Sequence, residues 1–597
     1  MNQPTLGLLE KLRPPSGFRT EAALGATYSA DLLTCMAVLT TLDGGEGERV
    51  QYGRVEAFRA LDRLRDKVRI CHQAGRVSRR DGSKYPSLAL LDRVLVPIRV
   101  PGRGSFHPKV WIVRQVDGEG HERFVLIVSS RNITTSTDWD LGIVIEGMLG
   151  GAGKALPRVR EFAQHALTLA GEPARIETFG KLDDVRWTVT PPIKEMAFDF
   201  QKGGEVPQQL HPAWSGFDAR PSRVLLLSPF IDARMVGEAA KRWSSAPKRR
   251  LVAGPEGLLC VALGPKCEAL RALEPRQIVA APEAPEPAED ETGAESEDEI
   301  EHVRALHAKV IAIDDGRRGT VILGSNNLTG PGWCGGSTEA FVRLVGPAAL
   351  CDPLWDWATA EAQDFDFPAP GTPPPEPPIL EKVKDELHAV SFRLEEAGAH
   401  APSRLVMLDP PALELPDGIR MEVARYTMPG QATLFPTGAS TVTLPGCTTA
   451  LRTRFIVCTL RQGDEKTSWI AAADLEPPVD EERDRALVAR LLGVREFLAY
   501  LQSLRADEAI TGSVEGALEG DAPEETQQHG RAALDGGVHL EELLRQLVKA
   551  PDAFDEMDRA VQRYGELIKR GQIPEDERVL LSRFLEAWAA IREAFRP

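Results

Sequence analysis

The chain has 597 residues, 42% of them hydrophobic, with 71 Lys and Arg against 88 Asp and Glu and a net charge of −17. That length implies three or more domains, and no apolar run approaches the roughly 20 residues that cross a bilayer. The first residues carry no signal-peptide pattern, and the eight scattered cysteines, with no Cys-x-x-Cys pair, point to neither a zinc site nor a disulfide framework. The expectation is a cytoplasmic protein with no membrane attachment.

The first half opens with Asp31–Leu39, which reads as a strand, then a helix-like stretch near 54–66 and a strand over Lys67–Cys71. Residues 1–150 carry 21 Lys and Arg against 17 Asp and Glu, about +4 despite the acidic total. Arg63, Arg65, Lys67, Arg69, Arg76, Arg79, Arg80 and Lys84 are dense enough to form a basic ridge suited to nucleic acid, although such a run on its own also fits a solvated helix face and loop.

Residues 106–113 (Phe-His-Pro-Lys-Val-Trp-Ile-Val) read as a buried strand, with His107 and Lys109 two apart and so on one face. A charged turn follows over 116–120, then an apolar strand over 124–128 that ends at Ser130-Arg131-Asn132. This is a β-hairpin that brings Ser130 and Asn132 back beside the His-Lys strand.

About 200 residues later the pattern recurs. Arg223–Asp232 reads as a strand ending in a Ser-Pro turn, followed by a helix to about Trp243 and a strand near 251–253. Residues 306–313 (Leu-His-Ala-Lys-Val-Ile-Ala-Ile) carry His307 and Lys309, and after a turn and a strand over 321–323 comes Gly324-Ser325-Asn326-Asn327. Each half offers an imidazole, an ammonium, a hydroxyl and an amide, which together make a phosphoryl pocket. An internal duplication of an α/β lobe is the simplest account. Between the two copies lies an acidic, Pro- and Glu-rich stretch, 282–301, that reads as a disordered insertion.

These paired segments resemble the His-Lys-Asp signatures of the phospholipase D superfamily. The second copy matches through His307, Lys309, Asp314, Ser325 and Asn327, with Glu339 as the acid that follows. The first matches through His107, Lys109, Ser130 and Asn132, with Asp140 as the acid; Arg114 stands where the motif has Asp, and Ser129 where it has Gly. The likeness covers about residues 25–350. The tyrosyl-DNA phosphodiesterase branch also works with His, Lys and Asn alone, so the missing Asp leans away from a lipid enzyme.

The resemblance implies a metal-independent, cofactor-free phosphodiesterase with a covalent phosphohistidine intermediate, His107 as nucleophile and His307 as acid; spacing alone does not order the two. Lys109, Lys309, Asn132 and Asn327 would hold the non-bridging oxygens, and Asp140 and Glu339 would orient the imidazoles. Asp314 reads as a brace for its hairpin, and Arg114 as facing solvent or paired with a neighbouring acid. His72, His121 and His302 carry no motif.

The expected organisation is a first lobe over 1–185, a second over 186–366, a Pro-rich linker over 367–385, a β-sandwich or barrel over 386–478 and a helical domain over 479–597. Strands are expected at 389–394, 404–408, 419–426, 440–444, 453–460 and 468–472, and helices at 486–504, 540–548 and 579–595. A nuclease is the favoured reading, with DNA ahead of RNA as partner and a bacterial restriction or defence setting. The alternatives are a phospholipid hydrolase or phosphatidyl transferase, and a non-catalytic scaffold beside a helicase or other defence protein. A duplicated site in one chain does not require an oligomer.

Overall fold

In the computed structural model the two His-x-Lys segments occupy the same place in two sheets of one topology. The structure describes residues 7, 10–44, 54–78, 86–102, 104–136, 138–204, 209–216, 220–278, 304–369, 378–388, 390–398, 400–409, 412–491, 494, 497, 501, 552–569 and 575–595. The acidic insertion, residues 370–377 of the Pro-rich linker, the helix expected over 540–548, and Arg79, Arg80, Lys84 and His302 lie outside them.

The first sheet contains β1 (Phe18–Thr27), β2 (Val68–Gln73), β3 (Leu95–Ile98), β4 (Val110–Asp117), β5 (Glu122–Ser129) and β6 (Gly142–Leu149), in the order β3-β2-β1-β4-β5-β6 with Val185–Trp187 at the far edge. The second contains β7 (Arg223–Ser228), β8 (Lys248–Ala253), β9 (Pro275–Gln277), β10 (Val310–Asp314), β11 (Arg318–Gly324) and β12 (Glu339–Pro347), in the order β9-β8-β7-β10-β11-β12, with Glu195–Gln201 beside β12 and Gln363–Asp364 beside β9. Pairing sense matches strand for strand: β1 is parallel to β2 and antiparallel to β4, as β7 is to β8 and β10. The duplicated α/β fold read from the repeat is therefore present.

Alternation along the strands builds the layers. Ile112, Leu126 and Ile145 from the first sheet share one core with Leu225, Ala312, Leu323 and Val342 from the second. The outward-facing set, Trp111, Val113 and Ile127, packs under the helices Leu32–Leu42 and Arg54–Leu64. In the second lobe Leu226, Ile311 and Ile322 pack under Ala233–Arg242 and its neighbours. The result is helix, sheet, sheet, helix, with the joint between the lobes made by the inner faces.

Two elements differ in type from their sequence reading, one of them the helix Ile379–Leu387, which begins inside the expected Pro-rich linker. Residues 32–42 are a helix rather than a strand, and the strand ahead of it is β1. Nine of the eleven helix residues are buried, so no polar stripe marks the 3.6-residue period. The signal was the cap: Asp31 accepts a hydrogen bond from Thr34 N at 2.9 Å.

Strands occur at all six places expected in the C-terminal β region, but they do not stand alone. Val77–Ser78 of the first lobe pairs with Trp469 and Ile470, and Ala30–Asp31 pairs with Val77–Ser78, so a six-stranded sheet runs across both regions. Helical residues Leu487, Met557 and Trp588 join the core beneath the first sheet. A buried ion cluster seals this contact. Arg483, fully buried, donates to Asp92 at 2.6 and 2.8 Å and to Asp484 at 2.8 Å, and Asp484 also accepts from Arg93 at 2.8 Å and Arg65 at 3.3 Å.

Removing one partner from such a cluster leaves an uncompensated buried charge, which costs about 3–5 kcal/mol. Asp92→Ala is expected to lower stability by that order in urea denaturation; an unchanged midpoint would mean the cluster does not secure the helical region.

Candidate active site

Each His-x-Lys precedes, rather than lies within, its sheet strand: β4 begins at Val110 and β10 at Val310. The reason is that the chain just before each histidine pairs with the other lobe. Phe106 bridges to Thr338, and His107 N donates to Thr338 O at 2.9 Å; Leu306 bridges to Trp139, and His307 N donates to Trp139 O at 2.9 Å. Thr338 and Trp139 are the residues immediately before the two acids.

The acids are consequently exchanged. His107 Nδ1 lies 3.0 Å from Glu339 Oε2, across the lobe boundary, and His307 Nδ1 lies 2.7 Å from Asp140 Oδ1 in the reciprocal direction. Each acid is fixed from within its own lobe by the serine of the Ser-x-Asn. Ser130 Oγ donates to Asp140 at 2.7 Å while accepting from Leu141 N at 3.0 Å; Ser325 Oγ donates to Glu339 while accepting from Ala340 N at 3.0 Å. The serines thus act by positioning carboxylates. This is the histidine–carboxylate arrangement that sets tautomer and ring orientation.

The lysines cap the same space from below. Lys109 Nζ donates to His107 O at 2.9 Å and lies 3.1 Å from His107 Nε2, and Lys309 Nζ donates to His307 O at 2.7 Å; each lysine is only 2% exposed. Asn132 turns its Oδ1 toward Ser29 N and Thr27 Oγ1, both at 3.4 Å. The buried Oδ1 of Asn327 has no hydrogen-bond partner among the described residues, leaving that amide uncommitted in a polar site.

Burial and crowded positive charge dominate the electrostatics. Burial, then Lys109, Lys309 and His307, hold the His107 imidazole well below its usual range. Burial followed by Lys309 lowers His307, against the pull of Asp140. Burial depresses both lysines, Lys309 to about 8. The two acids diverge. Burial pushes Glu339 up to about 8, whereas the desolvation of Asp140 is outweighed by His307, the Ser130 hydroxyl and Lys309 together, which keep it low. Among the described residues no three His, Cys, Asp or Glu side chains gather to hold a metal ion.

The two departures from the repeat have local causes. Gly324 faces Phe341 across β11 and β12, and a Cβ there would come 2.3 Å from Ala340 O. Ser129 sits at the equivalent place in the first lobe but faces Gly142, so the missing side chain has moved to the partner strand. Asp314 faces Arg223, which donates to it at 2.7 Å, and it also accepts from Gly316 N at 3.1 Å. In the first lobe the facing residue is Ala22, and Arg114 pairs with Glu122 on the next strand through two bonds of 2.9 Å.

The basic ridge does not form as a free surface among its described members. Arg65 and Arg69 are 8% exposed, Arg65 bonded to Asp484 and Arg69 to Glu172 at 3.0 Å; Lys67 pairs with Glu21 at 3.1 Å and Arg63 lies 3.7 Å from Asp43. Alternate residues around β2 point into packed layers, where basic side chains persist only with partners. Arg76 is paired as well, with Asp385 at 2.8 Å, and it sits over the ring of Tyr28, 5.1 Å from its centroid.

Tyr28 itself was not legible as a site residue. Its ring centroid lies 4.9 Å from that of His107, yet it follows β1 with no motif around it. Gln73, whose Oε1 accepts from Phe106 N at 2.7 Å, positions the same histidine loop from β2 and was equally silent.

No family model matches the chain, and no curated protein matches it. Among solved structures it is similar to yeast tyrosyl-DNA phosphodiesterase, at 12% identity and a TM-score of 0.36 over 56% of this chain and 84% of that one. It is also similar to the phosphatidylserine synthase of Haemophilus influenzae Rd KW20 (12% identity, TM-score 0.33, 64% of this chain and 88% of that one). A third likeness is to the polyphosphate kinase of Porphyromonas gingivalis (11% identity, TM-score 0.33, 64% of this chain and 52% of that one).

Lys309 loses its charge as pH rises through about 8, so an anion that binds the ammonium form must weaken above that point. Diphenyl phosphate, a monoanion throughout, is expected to bind progressively less tightly from about pH 7 to about pH 10, and in Glu339→Gln, which removes the acid that also titrates near 8, the slope should approach the tenfold per unit of one-proton linkage. A flat titration would remove Lys309 from the anion site.

Proposed function

We propose that the chain is a phosphodiesterase acting on nucleic acid through two histidines, one from each lobe, without a metal. The observation that carries this reading is the exchange of acids: Glu339 serves His107 and Asp140 serves His307, so the two imidazoles form one centre at the joint.

The geometry supports distinct roles. With Nδ1 of His107 3.0 Å from Glu339 and Nε2 3.1 Å from Lys109 Nζ, a ring proton on Nδ1 leaves the lone pair on Nε2, which must exchange its lysine contact for phosphorus when substrate enters. The lowered basicity of His107 keeps it neutral, as a nucleophile requires. His307 is also lowered by burial and Lys309, but the hydrogen bond and charge of Asp140 oppose that, so it holds a proton more readily than His107 does and is the better general acid of the two.

In the first step Nε2 of His107 bonds to phosphorus as the bond to the leaving oxygen breaks, and His307 gives that oxygen its proton. In the second, water attacks phosphorus, His307 takes a proton from the water, and the phosphorus–nitrogen bond breaks. Lys109, Lys309, Asn132 and Asn327 supply the donors to non-bridging oxygens, where charge must be held through each transition state.

The test is cleavage of end-labelled DNA and RNA in EDTA. Wild type is expected to cut, and His107→Ala to lose on the order of 10³-fold or more. His307→Ala should lose far less with a p-nitrophenyl diester than with an oligonucleotide, because p-nitrophenolate leaves without a proton. Equal losses on both substrates would take the acid role from His307.

A further inference from the structure

The two half-sites are alike in backbone but not in what they present at the rim. After β1, Thr27 Oγ1 donates to Ser29 O at 2.8 Å, Ala30 bridges to Ile133, and Asp31 caps the following helix. After β7, Ser228 Oγ donates to Phe230 O at 2.6 Å, Ile231 bridges to Leu328, and Asp232 caps its helix with a 2.8 Å bond to Met235 N. Phe230 therefore occupies the position of Ser29, whose N–H reaches Asn132, and so lies beside the Ser-x-Asn of the second half-site. It is 61% exposed, the most exposed large hydrophobic residue described.

The first half-site carries the cation. Arg76 rests on Tyr28, which rests on His107, and Arg76 Nη2 donates to Asp385 Oδ1 at 2.8 Å. That carboxylate is itself 59% exposed and comes from the helix Ile379–Leu387 of the C-terminal region, so Arg76 must exchange it for a phosphate oxygen when substrate binds. An exposed aromatic face on one side and a stacked guanidinium on the other are the two elements of single-strand recognition: a base stacks on the ring while the cation tracks the backbone. The reacting groups are recessed, with the His107 side chain 12% and that of His307 19% exposed. A duplex keeps its base faces covered and offers nothing to Phe230.

From this we infer that the site takes a single-stranded nucleic acid, with a base stacked on Phe230 at the His307 side and a neighbouring backbone phosphate held by Arg76 at the His107 side. This rests on the phosphodiesterase reading above and adds the strandedness of its substrate. Binding separates the two. Fluorescence anisotropy in EDTA would compare labelled single strands with the duplex of the same sequence, with cleavage followed on gels in parallel.

Single strands are expected to bind at least about tenfold more tightly than duplex. Phe230→Ala should weaken that binding by roughly 5- to 150-fold, the range for one lost base stack, while Phe230→Trp retains it. Arg76→Ala should weaken it and reduce the salt slope by about one. Duplex binding as tight as single-strand binding, or an unchanged Phe230→Ala affinity, would overturn the inference. Absent cleavage with these binding differences intact would overturn the catalytic reading alone. Cleavage of small diesters and of both strand forms alike would do the reverse.

Discussion

Two hydrogen bonds cross the joint between the lobes and hold the catalytic groups in register, His107 to Glu339 and His307 to Asp140. Each carboxylate is fixed by a serine of its own lobe and spends its free direction on the other lobe's histidine. The backbone bridges at Phe106–Thr338 and Leu306–Trp139 repeat that exchange one residue away, so main chain and side chain impose the same register on the joint. The shared apolar core drives the two inner sheet faces together, but it is non-directional; the exchanged pairs determine which way they meet.

That arrangement places two ammonium groups and two imidazoles in a space where almost nothing reaches water. Their mutual repulsion and loss of hydration lower the proton affinity of all four, and the same burial raises Glu339 while Asp140 stays ionised. Symmetry of backbone thus coexists with asymmetry of charge. One histidine is paired with an acid that resists ionisation and the other with an acid that does not, and a two-step displacement requires such a difference between nucleophile and acid.

Much of this was legible in the residues. The repeated His-x-Lys and Ser-x-Asn gave the duplication, the hairpins and the groups that converge, because local strand and turn chemistry is written in adjacent positions. What was not legible depended on distant pairing. Asp140 and Glu339 were recognisable as orienting acids, but their exchange is set by the docking of lobes some two hundred residues apart. Helix Leu32–Leu42 was hidden by being buried on nearly every side, and Tyr28 and Gln73 sit in the site only because β1 and β2 end there. The basic run around β2 misled for the opposite reason: its density was real, but Glu172, Glu21 and Asp484, none of them close in sequence, neutralise it.

The place of glycine at the end of β11 carries a wider consequence. Gly324 opposite Phe341 and Ser129 opposite Gly142 show that the strand pair, and not either residue, must omit a side chain. Two positions therefore share one steric requirement, and a lineage can transfer it from one strand to the other provided that the larger partner appears only after the smaller. A signature written along a single strand registers such a transfer as a loss. Recognition of distant copies of this half-site improves when the facing residue on the next strand is read together with it, as a single composite position.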